Sequence, residues 1–349
     1  MSLASINAYD LYDKLLEGNY AMNRRAALAT LGSAGLGLLA MQLPSFSSDQ
    51  PKDDVLKAAL AKFSASSRER LLHLISEPGF NGRISAAEAQ ALCDRERKSV
   101  AELMMALLDV AKAYARPPIS KYYVGTIARG TSGNLYLGAN IEFPGHSLGF
   151  SVHGEQAALS SAYMHGDSGV SAIAVTAAPC GHCRQFMNEL SPDIQVLVQG
   201  KAPQELTTLL PAAFGPKDLG VTDLAFPVKE VDLRLPNAPS DELTKAALDA
   251  ARKSYAPYTN AHSGVAIGTR TGRIFKGSYI ENAAYNPSLP PLQAALVPLI
   301  FAGESYDAIL DAVLVETEGA AISQKSVAEA ALSAIAPVAK LRVVKVTQS

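Results

Sequence analysis

Two short runs of the 349-residue sequence bring together residue types suited to metal chemistry: His153-Gly154-Glu155, and Pro179-Cys180-Gly181-His182-Cys183. One imidazole and two thiolates form a soft-to-borderline donor set that suits Zn²⁺ and leaves a fourth tetrahedral position free for water. An open position separates a catalytic zinc from a structural one. Two thiolates neutralise the metal charge formally, so a bound water is acidified less than at an all-histidine site and needs a base nearby. Glu155, two residues from His153, is placed for that task. A structural zinc would instead need a fourth protein ligand, from His182, His146 or the remote Cys93. His182 sits between the cysteines, where a helical backbone favours outward projection.

These residues need elements that bring two distant runs to one point. Residues 154–165 and 180–190 read as helices, so both ligand groups stand at helix N-termini, where exposed N–H groups and the macrodipole favour thiolate. The run 172–177 between them reads as a buried strand. Upstream, 122–128 and 134–137 read as strands around the turn Ser132-Gly133, and 54–113 as helices punctuated by Gly79 and Gly82. Strands alternating with helices imply an α/β core.

The sequence also repeats itself. Gly125, Gly133, Gly138, Ile141 and Glu142 recur 139 residues later as Gly264, Gly272, Gly277, Ile280 and Glu281, and Gln156-Ala157-Ala158-Leu159 recurs 137 later as Gln293-Ala294-Ala295-Leu296. Two similar domains are expected. Aligned on the glutamines, His153 falls opposite Pro290 and Glu155 opposite Leu292, and no cysteine pair follows, so the second copy lacks the ligand set. The reading is an extension over 1–50, a helical segment over 51–113, a catalytic zinc domain over 114–232, a linker over 233–241 (LRLPNAPSD, opening the join at Leu233) and a degenerate copy over 242–349.

The H-x-E and P-C-x-x-C pair is the signature of the zinc nucleoside and nucleobase deaminases. With Tyr123-Val124-Gly125, Gly138-Ala139-Asn140-Ile141-Glu142-Phe143, Ala213-Phe214-Gly215-Pro216-Lys217-Asp218-Leu219 and Glu281-Asn282-Ala283-Ala284-Tyr285-Asn286-Pro287, the chain resembles the long, homodimeric type of cytidine deaminase from about Val55 onward. The resemblance implies a duplicated three-layer α/β/α fold and one Zn²⁺ per subunit. It implies hydrolytic deamination of cytidine and 2′-deoxycytidine in pyrimidine salvage, with Glu155 as the catalytic proton carrier. It further implies that Asn140 and Glu142 hold the sugar, that Tyr122 packs beside the pyrimidine unless the register presents Tyr123, and that Gly154 takes a place usually filled by Ala. Phe214 and, from the partner subunit, Ala284 and Tyr285 resemble residues that close the pocket.

Composition supports a small uncharged substrate. Lys plus Arg total 31 and Asp plus Glu 33, a formal net charge of −2, so no broad basic surface marks nucleic acid as a partner. A deaminase acting on cytosine in single strands is the rival enzyme reading, and a zinc-stabilised non-catalytic module the rival without chemistry. Three cysteines exclude a disulfide framework. The uncharged run 26–43 follows Arg24-Arg25 but is broken by Gly32, Gly35 and Gly37, so a cytoplasmic protein without stable membrane association is expected, with twin-arginine export as the alternative.

Overall fold

The computed structural model describes residues 52–236 and 241–348. The 1–50 extension and the middle of the expected linker, 237–240, lie outside the described residues. Four helices lead: α1 (Lys52–Leu60), α2 (Ala65–Ser76), α3 (Ala86–Glu96) and α4 (Val100–Lys112), with a short strand β1 (Arg83–Ile84) between α2 and α3. Serine side chains cap three of them, Ser64, Ser85 and Ser99, which explains why the helices stop and restart where they do. The strand was not anticipated. It joins a sheet edge by pairing Arg83 with Tyr136, a tertiary partner that local periodicity cannot reveal.

Two sheets follow in the same order. The first unit runs β2 (Gly125–Gly130), β3 (Leu135–Ala139), α5 (Gly154–Met164), β4 (Val170–Val175), α6 (Gly181–Leu190), β5 (Gln195–Val198), β6 (Gln204–Glu205) and a one-turn α7 (Leu206–Leu209). The second runs β7 (Leu233–Arg234), α8 (Glu242–Arg252), β8 (Ser263–Thr269), β9 (Ile274–Ser278), α9 (Pro291–Phe301), β10 (Ile309–Thr317), α10 (Lys325–Ile335) and β11 (Lys340–Gln348). The first sheet has the order β1-β3-β2-β4-β5-β6 and the second β7-β11-β10-β8-β9. In each, a hairpin meets a third strand antiparallel, and that strand pairs parallel with a fourth.

The repeated glycines now have a reason. A Cβ on Gly138 would strike the backbone of Gly154 and Ala158 in α5, and one on Gly277 would strike Pro291 and Ala295 in α9. Gly133 and Gly272 turn the two hairpins with φ of +86° and +78°. Gly125 and Gly264 meet α4 and α8 on the opposite sheet faces, so each sheet lies between helices and the architecture is three-layered. Helices α5 and α9 are buried on nearly every side, as expected of helices enclosed by other elements.

The stretch expected as a linker differs at its ends. Leu233 and Arg234 pair with Gln348 and Thr347 of β11, and Asp241 caps α8 through Thr244. Leu233 is fully buried, with Val231 and Leu235 packed on the same cluster. The apolar alternation at 231, 233 and 235 outweighs the polar, proline-containing composition that marked the run as a join.

Candidate active site

Helix α5 starts at His153 and α6 at Cys180, each residue in an extended N-cap conformation, with Cys183 in the first turn of α6. His153 Nδ1 lies 3.5 Å from Cys180 Sγ and 3.2 Å from Cys183 Sγ, and the two sulfurs are 3.6 Å apart. A tetrahedral zinc with ordinary Zn–S and Zn–N bonds needs donor separations of about 3.5–3.8 Å. The triangle therefore fits the ion, and its chemistry, two thiols and an imidazole, fits as well. The Cys180 thiol is brought down to about 3 because its thiolate accepts from Cys183 and from His153. The bond to Cys180 in turn raises His153.

Glu155 is 5% exposed, and burial raises its carboxyl above the usual range. It shares a cavity of about 340 Å³ with His153, Gly154 and Cys180, walled by Ser120, Tyr122, Val124, Asn140, Glu142 and Leu148 and, beneath, by Ala177 and Ala178. The raised carboxyl beside an open cavity is the arrangement a proton carrier needs.

His182 departs from the outward projection expected of it. Its ring centroid lies 5.5 Å from that of His153, and its Nε2 donates to Asn286 O at 3.1 Å. Its ring nitrogen lies within 4.8 Å of the His153 and Cys183 donor atoms. That spacing is looser than the 3.2–3.6 Å triangle; Nε2 is held on Asn286, while Nδ1 is buried with no hydrogen-bond partner among the described residues.

The residues expected at the sugar do a prior job. Glu142 accepts from the backbone N–H groups of Ile119 and Ser120, both at 2.9 Å, and from the Ser120 hydroxyl. Asn140 donates to Tyr122 O at 2.8 Å and accepts from Val124 N at 2.9 Å. Together they pin the 119–124 segment to the pocket wall, and each keeps spare capacity: a second amide N–H, further carboxylate lone pairs. Tyr122 lines the cavity, 60% exposed, while Tyr123 packs against the core.

Phe214, Ala284 and Tyr285 are not among the residues lining that cavity. Phe214 lies over α6, its carbonyl accepting from Gln185 Nε2 and Asn188 Nδ2. Ala284 and Tyr285 belong to a loop of the second unit, with Tyr285 63% exposed.

Two site residues escaped the sequence reading. Ser120 could have been found through the repeat, because Thr259 stands 139 residues later. Thr126 could not. A Cβ on Gly154 would come within 2.5 Å of Thr126 Oγ1, a hydroxyl buried without a hydrogen-bond partner among the described residues. Gly154 is glycine because Thr126 fills the space.

Comparison with known proteins agrees with this geometry. The family model described as "Cytidine and deoxycytidylate deaminase zinc-binding region" matches residues 98–199, and a second model of the same description matches 206–329. The chain belongs to the cytidine deaminase family. A cytidine deaminase of Serratia proteamaculans (strain 568) is 43% identical over 281 residues, 80% of this chain and 95% of the relative. One of Vibrio cholerae serotype O1 (strain M66-2) is 44% identical over 285 residues, 81% of this chain and 96% of the relative. The family region in the first half holds His153, Cys180 and Cys183, the three candidate donors, whereas the second has Pro290 and Leu292 where the repeat places the counterparts of His153 and Glu155.

Proposed function

We propose that this chain hydrolyses cytidine and 2′-deoxycytidine to uridine and 2′-deoxyuridine with release of ammonia. The observation that carries the reading is the buried Glu155 carboxyl in one cavity with His153 and Cys180, two corners of a three-donor triangle that Cys183 completes. His153, Cys180 and Cys183 hold the ion, one per chain, and the bound zinc supplies a Lewis acid that makes water nucleophilic near neutral pH. Glu155 takes one proton from the attacking water and delivers it to N3 of the pyrimidine as the new C4–O bond forms. It then relays the second water proton to the amino group, so the C4–N bond breaks with ammonia as the leaving group. Burial raises the Glu155 carboxyl above its usual range, which eases the protonated form that must hand the proton on.

Tyr122 is the wall for the pyrimidine face, Asn140 and Glu142 offer their remaining hydrogen-bonding capacity to the sugar, and Gly154 presents its backbone to the base from the cavity wall. Phe214 and the partner subunit's Ala284 and Tyr285 complete the mouth in a homodimer. We read 114–232 as the catalytic domain and 242–349 as its metal-free copy, with β7 joining the latter. Among the described residues no helix is long and apolar enough to cross a membrane, and we assign the protein to the cytoplasm, with no nucleic acid as partner.

Incubating purified protein with cytidine, deoxycytidine and a cytosine-containing oligonucleotide, and following ammonia, tests the reading. Release from the nucleosides alone is expected. Release from the oligonucleotide alone replaces the substrate, and no release from zinc-loaded protein removes the catalytic reading. A monomer at every concentration in sedimentation overturns the dimer, and fractionation outside the cytoplasm overturns the location.

A further inference from the structure

The three donor atoms come from two separate helices, so their triangle depends on how α5 and α6 are held relative to each other. Residues 282–287, a loop of the unit that lacks the ligand set, bond to both. Gln156 of α5 donates from Nε2 to Pro287 O at 3.0 Å, while its Oε1 accepts from His153 N at 3.2 Å. On α6, His182 Nε2 donates to Asn286 O at 3.1 Å, Gln185 O accepts from Asn282 Nδ2 at 3.0 Å, and Glu189 accepts from Ala283 N at 2.9 Å. Positions 182, 185 and 189 fall on one helix face, so the loop lies along α6 from its first turn to its last.

The loop is stiff enough to act as a template. Its base is closed by Ile280 pairing with Leu289, and it is cross-tied by Asn282 N to Ser288 Oγ at 2.9 Å and Ala284 N to Asn282 Oδ1 at 2.9 Å. Asn282 and Glu189 are fully buried, and Glu189 also accepts from the Tyr255 and Tyr258 hydroxyls. The corresponding loop of the first unit, between Ile141 and its partner Val152, is two residues longer and lends Leu148 and Ser151 to the cavity. The shorter copy has no cavity residue among those lining the site, and its polar atoms are spent on the two ligand-bearing helices.

We infer that loop 282–287 is a clamp that sets α5 against α6, making Asn282, Glu189 and Gln156 positioning residues for the zinc ligands. The inference rests on the zinc reading above, and gives the metal-free copy a task within its own chain. Residues supporting a metal site typically change metal affinity about 10- to 100-fold when altered.

The test is zinc release from the purified holoprotein to a colorimetric chelator, alongside thermal melting. Asn282→Ala and Glu189→Leu, which leaves no acceptor for Ala283 N, are expected to release zinc at least about tenfold faster than the parent. Val313→Ala, a cavity in the second sheet away from the loop, is expected to lower Tm yet keep the parental release rate. Parental rates in these two variants overturn the clamp, and so does a Val313→Ala rate as fast as theirs, which would reduce the effect to general loosening. Should Asn282→Ala not fold, Asn282→Ser takes away the reach to Gln185 O without burying a charge beside that carbonyl and is held to the same criterion. A parent protein that holds no zinc overturns the metal reading itself, an outcome distinct from parental release rates in the variants.

Discussion

Glu142 and Glu281 stand 139 residues apart and do the same thing to the same kind of turn. Glu142 accepts from Ile119 N, Ser120 N and the Ser120 hydroxyl, and Tyr122 N donates back to Ser120 Oγ at 3.0 Å. Glu281 accepts from Tyr258 N, Thr259 N and the Thr259 hydroxyl, and Ala261 N donates to Thr259 Oγ1 at 3.1 Å. Even the left-handed residue inside the turn recurs, Lys121 at φ 55° and Asn260 at φ 53°. Eleven residues after Glu142 the copies part: α5 opens with His153 and Glu155, whereas α9 opens on Pro290 and Pro291 and presents Leu292. A carboxylate that anchors a turn is kept in both halves because the fold needs it. The proposed ligands and proton carrier stand in the first copy alone. Glu281 is buried, while Glu142 faces the cavity, so the surviving scaffold bond became available to a substrate on one side alone.

The sharpest break of this comparison is at Glu155. Glu155→Ala should lower kcat by about 10³-fold or more, since acid and base work disappear together, while zinc content by elemental analysis stays that of the parent. Near-normal turnover would remove its role. Metal counting comes next. One zinc per chain is expected, and none in Cys183→Ala, because nothing in the second copy replaces the lost set; a second equivalent in the parent would mean that copy is not degenerate.

Smaller effects separate the packing of the two helices. Gly154→Ala drives a methyl onto the Thr126 hydroxyl and should cost about 1–3 kcal/mol, read as a fall in Tm. Adding Thr126→Ala should restore most of it, since that hydroxyl has no hydrogen bond to lose. Additive losses would refute the pairing. The smallest effect belongs to the exposed turn: Ser120→Ala should raise KM for cytidine by roughly 3- to 10-fold with kcat little changed, the scale of one hydrogen bond. Ser120→Thr, the solution used at Thr259, should stay within about twofold. A threonine variant as impaired as the alanine one would show that the two turns are not equivalent.

Much of the site was legible because it is built from close-range sequence pairs. His153 and Glu155 sit two apart, and Cys180 and Cys183 three apart, spacings that a helix start converts directly into shared direction. The repeated glycines were legible as a pattern, though not as a cause; the cause is the close approach of strand to helix at Gly138 and Gly277. Other features were hidden because their partners are remote. Strand β1 exists only through β3, His182 turns inward only because Asn286 receives its Nε2–H, and Leu233 joins a sheet whose last strand begins at Lys340.

The sequence by itself carried the candidate donor set, the candidate proton carrier, the duplication and the absence of that set from the second copy, because these are matters of residue identity and short spacing. Only the tertiary structure decided that Gly154 answers Thr126, that Asn140 and Glu142 hold a turn before they can hold a sugar, and that the metal-free half reaches back onto both ligand helices. Those are contacts between residues 16 to 131 positions apart along the chain, and no local periodicity carries them. They exist once the two sheets and their shared pair of buried helices have packed.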